Sequence, residues 1–337
     1  MIPNNSHAVQ AVQADPRMRD FLHLDLPFTS AMEVSALLKN FGYDLTITQL
    51  EPGPLIGSIS VTVNGGNIYF KILNNLPLLW HGSRLQGFTP VAIEETGNPA
   101  QKAHGQRLAP YLVAGFFNQL TDTHFVTAGN ARSLIALVPT RPLLNTLIGF
   151  GAENAVDVIH TANHIVINPE TYRRLGLGIK RRAVAPEPDP TGANTEAFNA
   201  LVAESFMART ERVKAMQIST QDAMVKEFVH LAAQKLEGEP AGLPELLDEL
   251  HVGKTALSAA VKKAFSVSPM ELMRRMRLEQ VRHALVDEGV RYKLGKHKIE
   301  DIACHYGFRS RPHFAKNYSD LFGELPSETA GQLRLSA

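Results

Sequence analysis

The sequence predicts an α+β, multidomain chain: an amino-terminal β-roll carrying a few helices, followed by an all-α domain built from two helix-turn-helix units. Three observations carry that prediction. Between residues 43 and 139, short apolar runs alternate with polar residues and break at Gly and Pro, the mark of strands. Between residues 243 and 322, apolar residues recur at helical spacing, interrupted by two tight turns. A charged, Pro-rich stretch, Lys180-Arg181-Arg182 and then PEPDPTG, separates the two patterns and reads as a linker.

Taken in order, residues 1–26 are polar and weakly patterned, an expected arm. Residues 30–40 place Met32, Leu37 and Leu38 on a short helix closed near Gly42. Tyr43, Leu45 and Ile47 begin the alternation, Glu51-Pro52-Gly53-Pro54 interrupts it, and Ile56 to Val63 resumes it before Asn64-Gly65-Gly66. Those three residues predict a hairpin. Residues 67–73, 90–94, 124–128 and 134–139 extend the strand count, residues 108–120 and 142–150 look helical, and 156–167 are expected to add a closing strand or two. Many short strands favour a small barrel or double-sheet roll. Residues 195–236 carry two further helical patterns, one through Phe198, Leu201, Val202 and Phe206, the other through Met224, Val225, Phe228 and Leu231. Residues 238–242 form the last flexible joint. The domain plan is therefore 1–179, a linker at 180–194, a helical connecting or dimerisation segment at 195–236, and the all-α domain at 237–337.

Within that last domain, Leu243, Leu246, Leu247 and Leu250 make one apolar face. Val252-Gly253 turns the chain, and Leu257, Val261 and Phe265 give a second helix its inward stripe. Lys254, Thr255, Ser258, Lys262 and Lys263 are left for solvent or a partner. The pattern recurs about 50 residues later: Ile299, Ile302, Ala303 and Tyr306, a turn at Gly307-Phe308, then Phe314, Tyr318 and Leu321 behind an expected Ser310 cap. Arg309, Arg311, His313 and Lys316 lie off that stripe. Between the units, residues 270–287 form a basic helix with Arg274, Arg275, Arg277 and Arg282. At about 1.5 Å per residue such a helix spans roughly 27 Å, near the ~34 Å between successive major-groove faces of duplex DNA.

The segments LHVGKTALSAAVKKAFSVSP, MELMRRMRLEQVRHAL and KIEDIACHYGFRSRPHFAKNYSDLFGELPSE resemble, in order and spacing, the DNA-binding domain of AraC/XylS-type transcriptional regulators. The resemblance covers residues 243–328. It implies that Thr255 and Ser258 on the first recognition helix, and Arg311, His313 and Lys316 on the second, face double-stranded DNA. The first unit departs from the pattern at Gly253, Ala259 and Ser266. Upstream, QLEPGPLIGSISV resembles a pattern found in some sensor domains of the same family, which implies a cupin-like roll that senses a small molecule.

Composition sets the limits. The net charge of +1 hides an asymmetry: from Leu243 onward 15 Lys and Arg face 12 Asp and Glu, while the preceding residues hold 19 against 21. The modest basic excess sits where a DNA contact needs it. With one cysteine, Cys304, no intrachain disulfide or cysteine-based zinc site is possible. No apolar run reaches the ~18 residues of a membrane span, and we expect a cytoplasmic protein with no membrane partner.

Histidines His81, His104, His160 and His164 lack the spacing of a cupin-type metal site, so no metal or other cofactor is expected. No phosphate-binding loop, nucleophile elbow or H-E-x-x-H pair is present, so no enzyme activity is expected. Phe70, Trp80 and His81 have the character to line a pocket, but no ligand-binding residue can be assigned.

The expected function is sequence-specific DNA binding under small-molecule control, as a homodimer paired through 195–236, touching RNA polymerase if it activates. Lys262, Lys263 and the linker arginines are expected to neutralise phosphates, and the second unit to read most of the base edges. A regulator controlled by a protein partner and a β-roll enzyme with a DNA-binding tail are the alternatives.

Overall fold

The computed structural model describes residues 21–96, 101–103, 106–107, 110–236 and 240–332. The chain opens with β1 (Phe21–Phe28) and α1 (Ala31–Lys39), whose first turn is closed by a reciprocal box between Ser30 and Glu33. Strands β2 (Leu45–Gln49), β3 (Gly57–Asn64), β4 (Asn67–Asn74), β5 (Leu78–Ser83) and β6 (Phe88–Glu94) follow. The expected hairpin joins β3 to β4: Asn64 pairs with Asn67, and Gly65 and Gly66 both take positive φ, the requirement of a two-residue turn matched to strand twist.

Strands β7 (Lys102–Ala103), β8 (Gln106–Arg107), β9 (Leu112–Ala114), β10 (Asp122–Thr127), β11 (Ala131–Pro139) and β12 (His164–Val166) complete two sheets. The larger has the order β1-β3-β4-β11-β6-β9-β12; the smaller has the order β2-β5-β10-β7-β8. The larger sheet is buried on both faces, and β11 shows why its sequence is almost wholly apolar. Ile135 and Leu137 point into the space between the sheets, while Leu134, Ala136 and Val138 point into a second core.

That second core is roofed by α2 (Thr140–Gly149), α3 (Glu153–Thr161), α4 (Pro169–Val184) and α5 (Ala193–Met207). Four expectations change here. Of the helix expected at 108–120, residues 108 and 109 lie outside the described residues and the rest hold β9; Tyr111 at φ 59 and Gly115 at φ 97 are incompatible with a continuous helix, and β9 is fixed by pairing with β12 and β6. Residues 156–167 hold most of α3 before β12, because Ala155, Val158 and Ile159 fall on one helical face and bury it.

Lys180, Arg181 and Arg182 belong to the last turns of α4, where Leu175, Ile179 and Ala183 are buried at four-residue spacing. Of the expected amino-terminal arm, residues 1–20 lie outside the described residues and 21–26 pair as a strand.

The all-α part comprises α6 (Thr220–Gln234), α7 (Leu243–Leu250), α8 (Lys254–Phe265), α9 (Pro269–Val286), α10 (Glu288–Leu294), α11 (Ile299–His305), α12 (Arg311–Phe322) and α13 (Pro326–Gln332). Helix α9 serves two cores: Leu272, Met273 and Met276 pack with α6, α7 and α8, and Leu278, Val281, Ala284 and Leu285 pack with α11 and α12. The stretch 195–236 is split between domains. Phe198, Val202 and Phe206 of α5 enter the β-rich core, whereas Val225, Phe228 and Leu231 of α6 enter the core of the first helix-turn-helix unit. Those apolar stripes, the basis for expecting a dimer through this segment, are satisfied inside one chain. Among the described residues no helix is long and apolar enough to cross a membrane.

Candidate nucleic-acid interface

Helix α8 begins after His251, which takes a left-handed conformation, and Gly253, which caps it in extended form without a side-chain bond. Leu257, Ala260, Val261 and Phe265 are buried. On the opposite face Lys254, Thr255, Lys262 and Lys263 are exposed and Ser258 is partly so. Lys263 Nζ donates to Gln221 Oε1 at 2.8 Å, and Ser266 at φ 62 ends the helix.

Helix α12 follows the turn made by Gly307 at φ 88. Phe314, Tyr318, Leu321 and Phe322 face inward, and Arg309, Arg311, His313 and Lys316 are exposed. The expected Ser310 cap is not made: Ser310 holds the capping backbone position, but its hydroxyl bonds to no helix N–H. Neither recognition helix therefore has a side-chain cap. Arg311 Nη2 lies 2.9 Å from Glu300 Oε1, and Lys316 Nζ 3.1 Å from Asp320 Oδ2. Pairs this exposed contribute about 0–1 kcal/mol, so a phosphate or base edge can displace them. All nine expected contact residues are thus on outward faces of α8, α12 or the turn before α12.

The linker arginines behave differently from expectation. Arg275 is buried, donates Nε to Glu271 Oε1 at 2.7 Å and donates an Nη to the Leu50 carbonyl. Arg282 is buried against Glu324 at 2.9 Å and lies over the Phe322 ring at 4.7 Å. Arg277 donates to the Ala241 carbonyl. Only Arg274 is exposed, and it pairs with Glu271. Three of the four cations are taken up by contacts within the chain, Arg275 across to the β-rich domain and Arg277 and Arg282 inside the all-α domain, which leaves Arg274 for phosphates.

Arg275 is covered because the β-rich domain docks on α9. Gln49 N–H donates to Glu279 Oε1 at 3.1 Å, and the Gln49 side-chain amide donates to the carbonyls of Glu51, Gly53 and Leu321. Gly53 N–H also donates to Leu321 O, at 2.9 Å. The QLEPG stretch is thus a clip between the roll and the end of α12. Glu279 is fully buried, its other oxygen meets no donor among the described residues, and burial pushes its pKa up to about 7.

Beside the clip, strands β5 and β10 present an outer face to the helices. Leu79 and Val126 join the core of the first unit, and the His124 ring lies 6.1 Å from that of Phe265. Lys226 of α6 binds Asp122 at 3.1 Å, and Lys102 Nζ donates to Ala264 O at the end of α8 at 2.8 Å.

The inner face of the same strands walls a cavity of about 140 Å³ between the sheets. Phe70 and Trp80 line it, together with Tyr43, Arg84, Ile72, Phe125 and Leu137; His81 sits on the outer face against His230. Arg84, Tyr43, Asp122, Gln49 and Glu279 were not singled out from sequence. Only Gln49 carried a signal, the QLEPG resemblance.

A family model described as a helix-turn-helix domain matches residues 246–332. The regulatory protein HrpB of Ralstonia nicotianae is 30% identical over 275 residues, 74% of this chain and 56% of that protein. The XylDLEGF operon transcriptional activator of Pseudomonas putida is 36% identical over 73 residues, 22% of each. This chain therefore spans about half the length of the first relative and less of the second. The crystal structure of ToxT from Vibrio cholerae O395 overlays on 94% of this chain and 98% of its own, at 11% identity and a TM-score of 0.32, too loosely to carry a conclusion. Two helix-turn-helix units joined by one helix, with the family match over those same residues, identify residues 246–332 as a helix-turn-helix domain of the AraC/XylS type.

Proposed function

We propose that the chain binds double-stranded DNA in a sequence-specific manner through α8 and α12, and that a small molecule in the cavity of the β-rich domain controls it. The observation that carries the DNA reading is the separation of faces: each recognition helix buries its apolar stripe and leaves Lys254, Thr255, Lys262, Lys263 or Arg311, His313, Lys316 outward. Lys254, Lys262, Lys263 and Arg309 would neutralise phosphates; Thr255, Ser258, Arg311 and His313 would meet base edges, with Lys316 at either. Selection of binding sites from random duplexes tests it. One recurrent motif with steep salt dependence is expected, whereas uniform retention of all sequences would contradict it.

The control reading rests on one sheet having two roles. β5 and β10 wall the cavity on one face and seat the first helix-turn-helix unit on the other, so a ligand that shifts the wall shifts the unit. This favours a small molecule over a protein partner. A small-molecule screen for thermal stabilisation of the full chain tests it, because a ligand selective for the folded state must raise its melting temperature. The reading places the protein in the cytoplasm beside the DNA.

A further inference from the structure

Arg84 follows β5 and is only 8% exposed, yet it lines a cavity whose other walls are almost entirely hydrocarbon. Its partners are two neutral oxygens: Nη1 donates to Phe117 O at 2.8 Å and Nη2 to Gly115 O. No described carboxylate forms an ion pair with it. The one acid in the lining, Asp122, is bound through Oδ1 to Lys226 of α6, outside the cavity, so Arg84 in the wall and Lys226 behind it share one carboxylate. Burial lowers the Arg84 pKa to about 10, which leaves it charged at neutral pH.

A buried cation that makes no ion pair of its own is costly, and an anionic ligand would offset that cost. Two of the five guanidinium N–H groups are spent on carbonyls, which fix the orientation of the plane and leave three for an acceptor. A planar carboxylate fits the remaining edge. The rest of the cavity sets the size: its 140 Å³ is close to the roughly 150 Å³ of an engineered apolar cavity that takes up benzene.

We propose that the effector is a small apolar carboxylic acid, its carboxylate on Arg84 and its ring or short chain among Phe70, Trp80 and Phe125. This rests on the cavity being the effector site. Binding neutralises the surplus charge beside Asp122, whose bond to Lys226 is one of the ties between the cavity wall and α6.

The test uses the full chain and four probes: benzoate and hexanoate against benzamide and hexanamide. Trp80, the single tryptophan, lines the cavity and reports binding by its fluorescence. We expect each acid to bind about 10- to 100-fold more tightly than its amide, the measure of a charge-assisted hydrogen bond, and Arg84→Gln to abolish that preference. The comparison on the unaltered chain holds even if the variant fails to fold. Amides binding as tightly as acids would overturn the anionic ligand and leave the effector site standing. Binding by none of the four would also overturn it, with the wider reading then judged by the small-molecule screen.

Discussion

The two helix-turn-helix units share one pattern but differ in what holds them. The first shares its core: Leu50, Leu79 and Val126 of the β-rich domain complete it, and Lys102 binds the Ala264 carbonyl near the end of its recognition helix. The second has a core drawn only from α9 and the helices after it, and meets the β-rich domain at Leu321 O, where Gly53 N–H and the Gln49 amide converge. An apolar joint transmits displacement, since packed side chains cannot stay put when their neighbours move. A polar clip fixes a position. On the proposed control reading, the first unit is the one that the cavity wall repositions, and the second is the reference.

The largest expected effect breaks the apolar joint. Leu79→Ala removes a side chain that is 1% exposed and should cost about 2–5 kcal/mol. Hydrogen exchange should show the amides of α8 opening more than those of α12; equal loosening of both would erase the distinction between the joints.

Next in size is the pH dependence of the clip. Burial raises the Glu279 pKa from the usual 4.5 to about 7, so the folded chain binds the proton more tightly than the unfolded one. Stability from this group is fully present below about pH 4.5 and is lost as pH rises to about 7, by on the order of 3 kcal/mol. Denaturant titrations at several pH values should show that slope, and Glu279→Gln should flatten it. An unchanged slope in the variant would remove Glu279 from the account.

These two sites also show where sequence was legible and where it was not. Local grammar was readable: the short helix at residues 30–40, the Gly65-Gly66 hairpin and both helix-turn-helix units follow from near neighbours. What depended on distant partners was not. Arg275 and Arg282 look like any basic helix face until Leu50 and Glu324 are placed against them. Residues 112–114 pair as β9 because they lie between β6 and β12, which arrives about 50 residues later. The outward residues of α8 and α12 were legible because a recognition helix must leave one face unburied. The cavity was less so, since Arg84 is isolated in sequence.

A smaller effect separates the two recognition helices on DNA. Arg311→Ala should cost roughly 1–3 kcal/mol on the selected site and little on random duplex, measured by competition binding. Equal loss on both would make Arg311 a phosphate contact. The smallest is Lys262→Ala, which should lower the salt-dependence slope by about one and weaken all sequences alike. A loss confined to the selected site would instead give the first unit a base-reading role there.

The central claim is that one chain presents two recognition helices to one face of DNA, spaced by α9. Its 18 residues span about 27 Å, which suits neighbouring major grooves. Hydroxyl-radical and methylation footprinting on the selected site measures this directly. The account predicts protection of two major-groove segments about 10 base pairs apart by one copy of the domain. Protection confined to a single groove would contradict it.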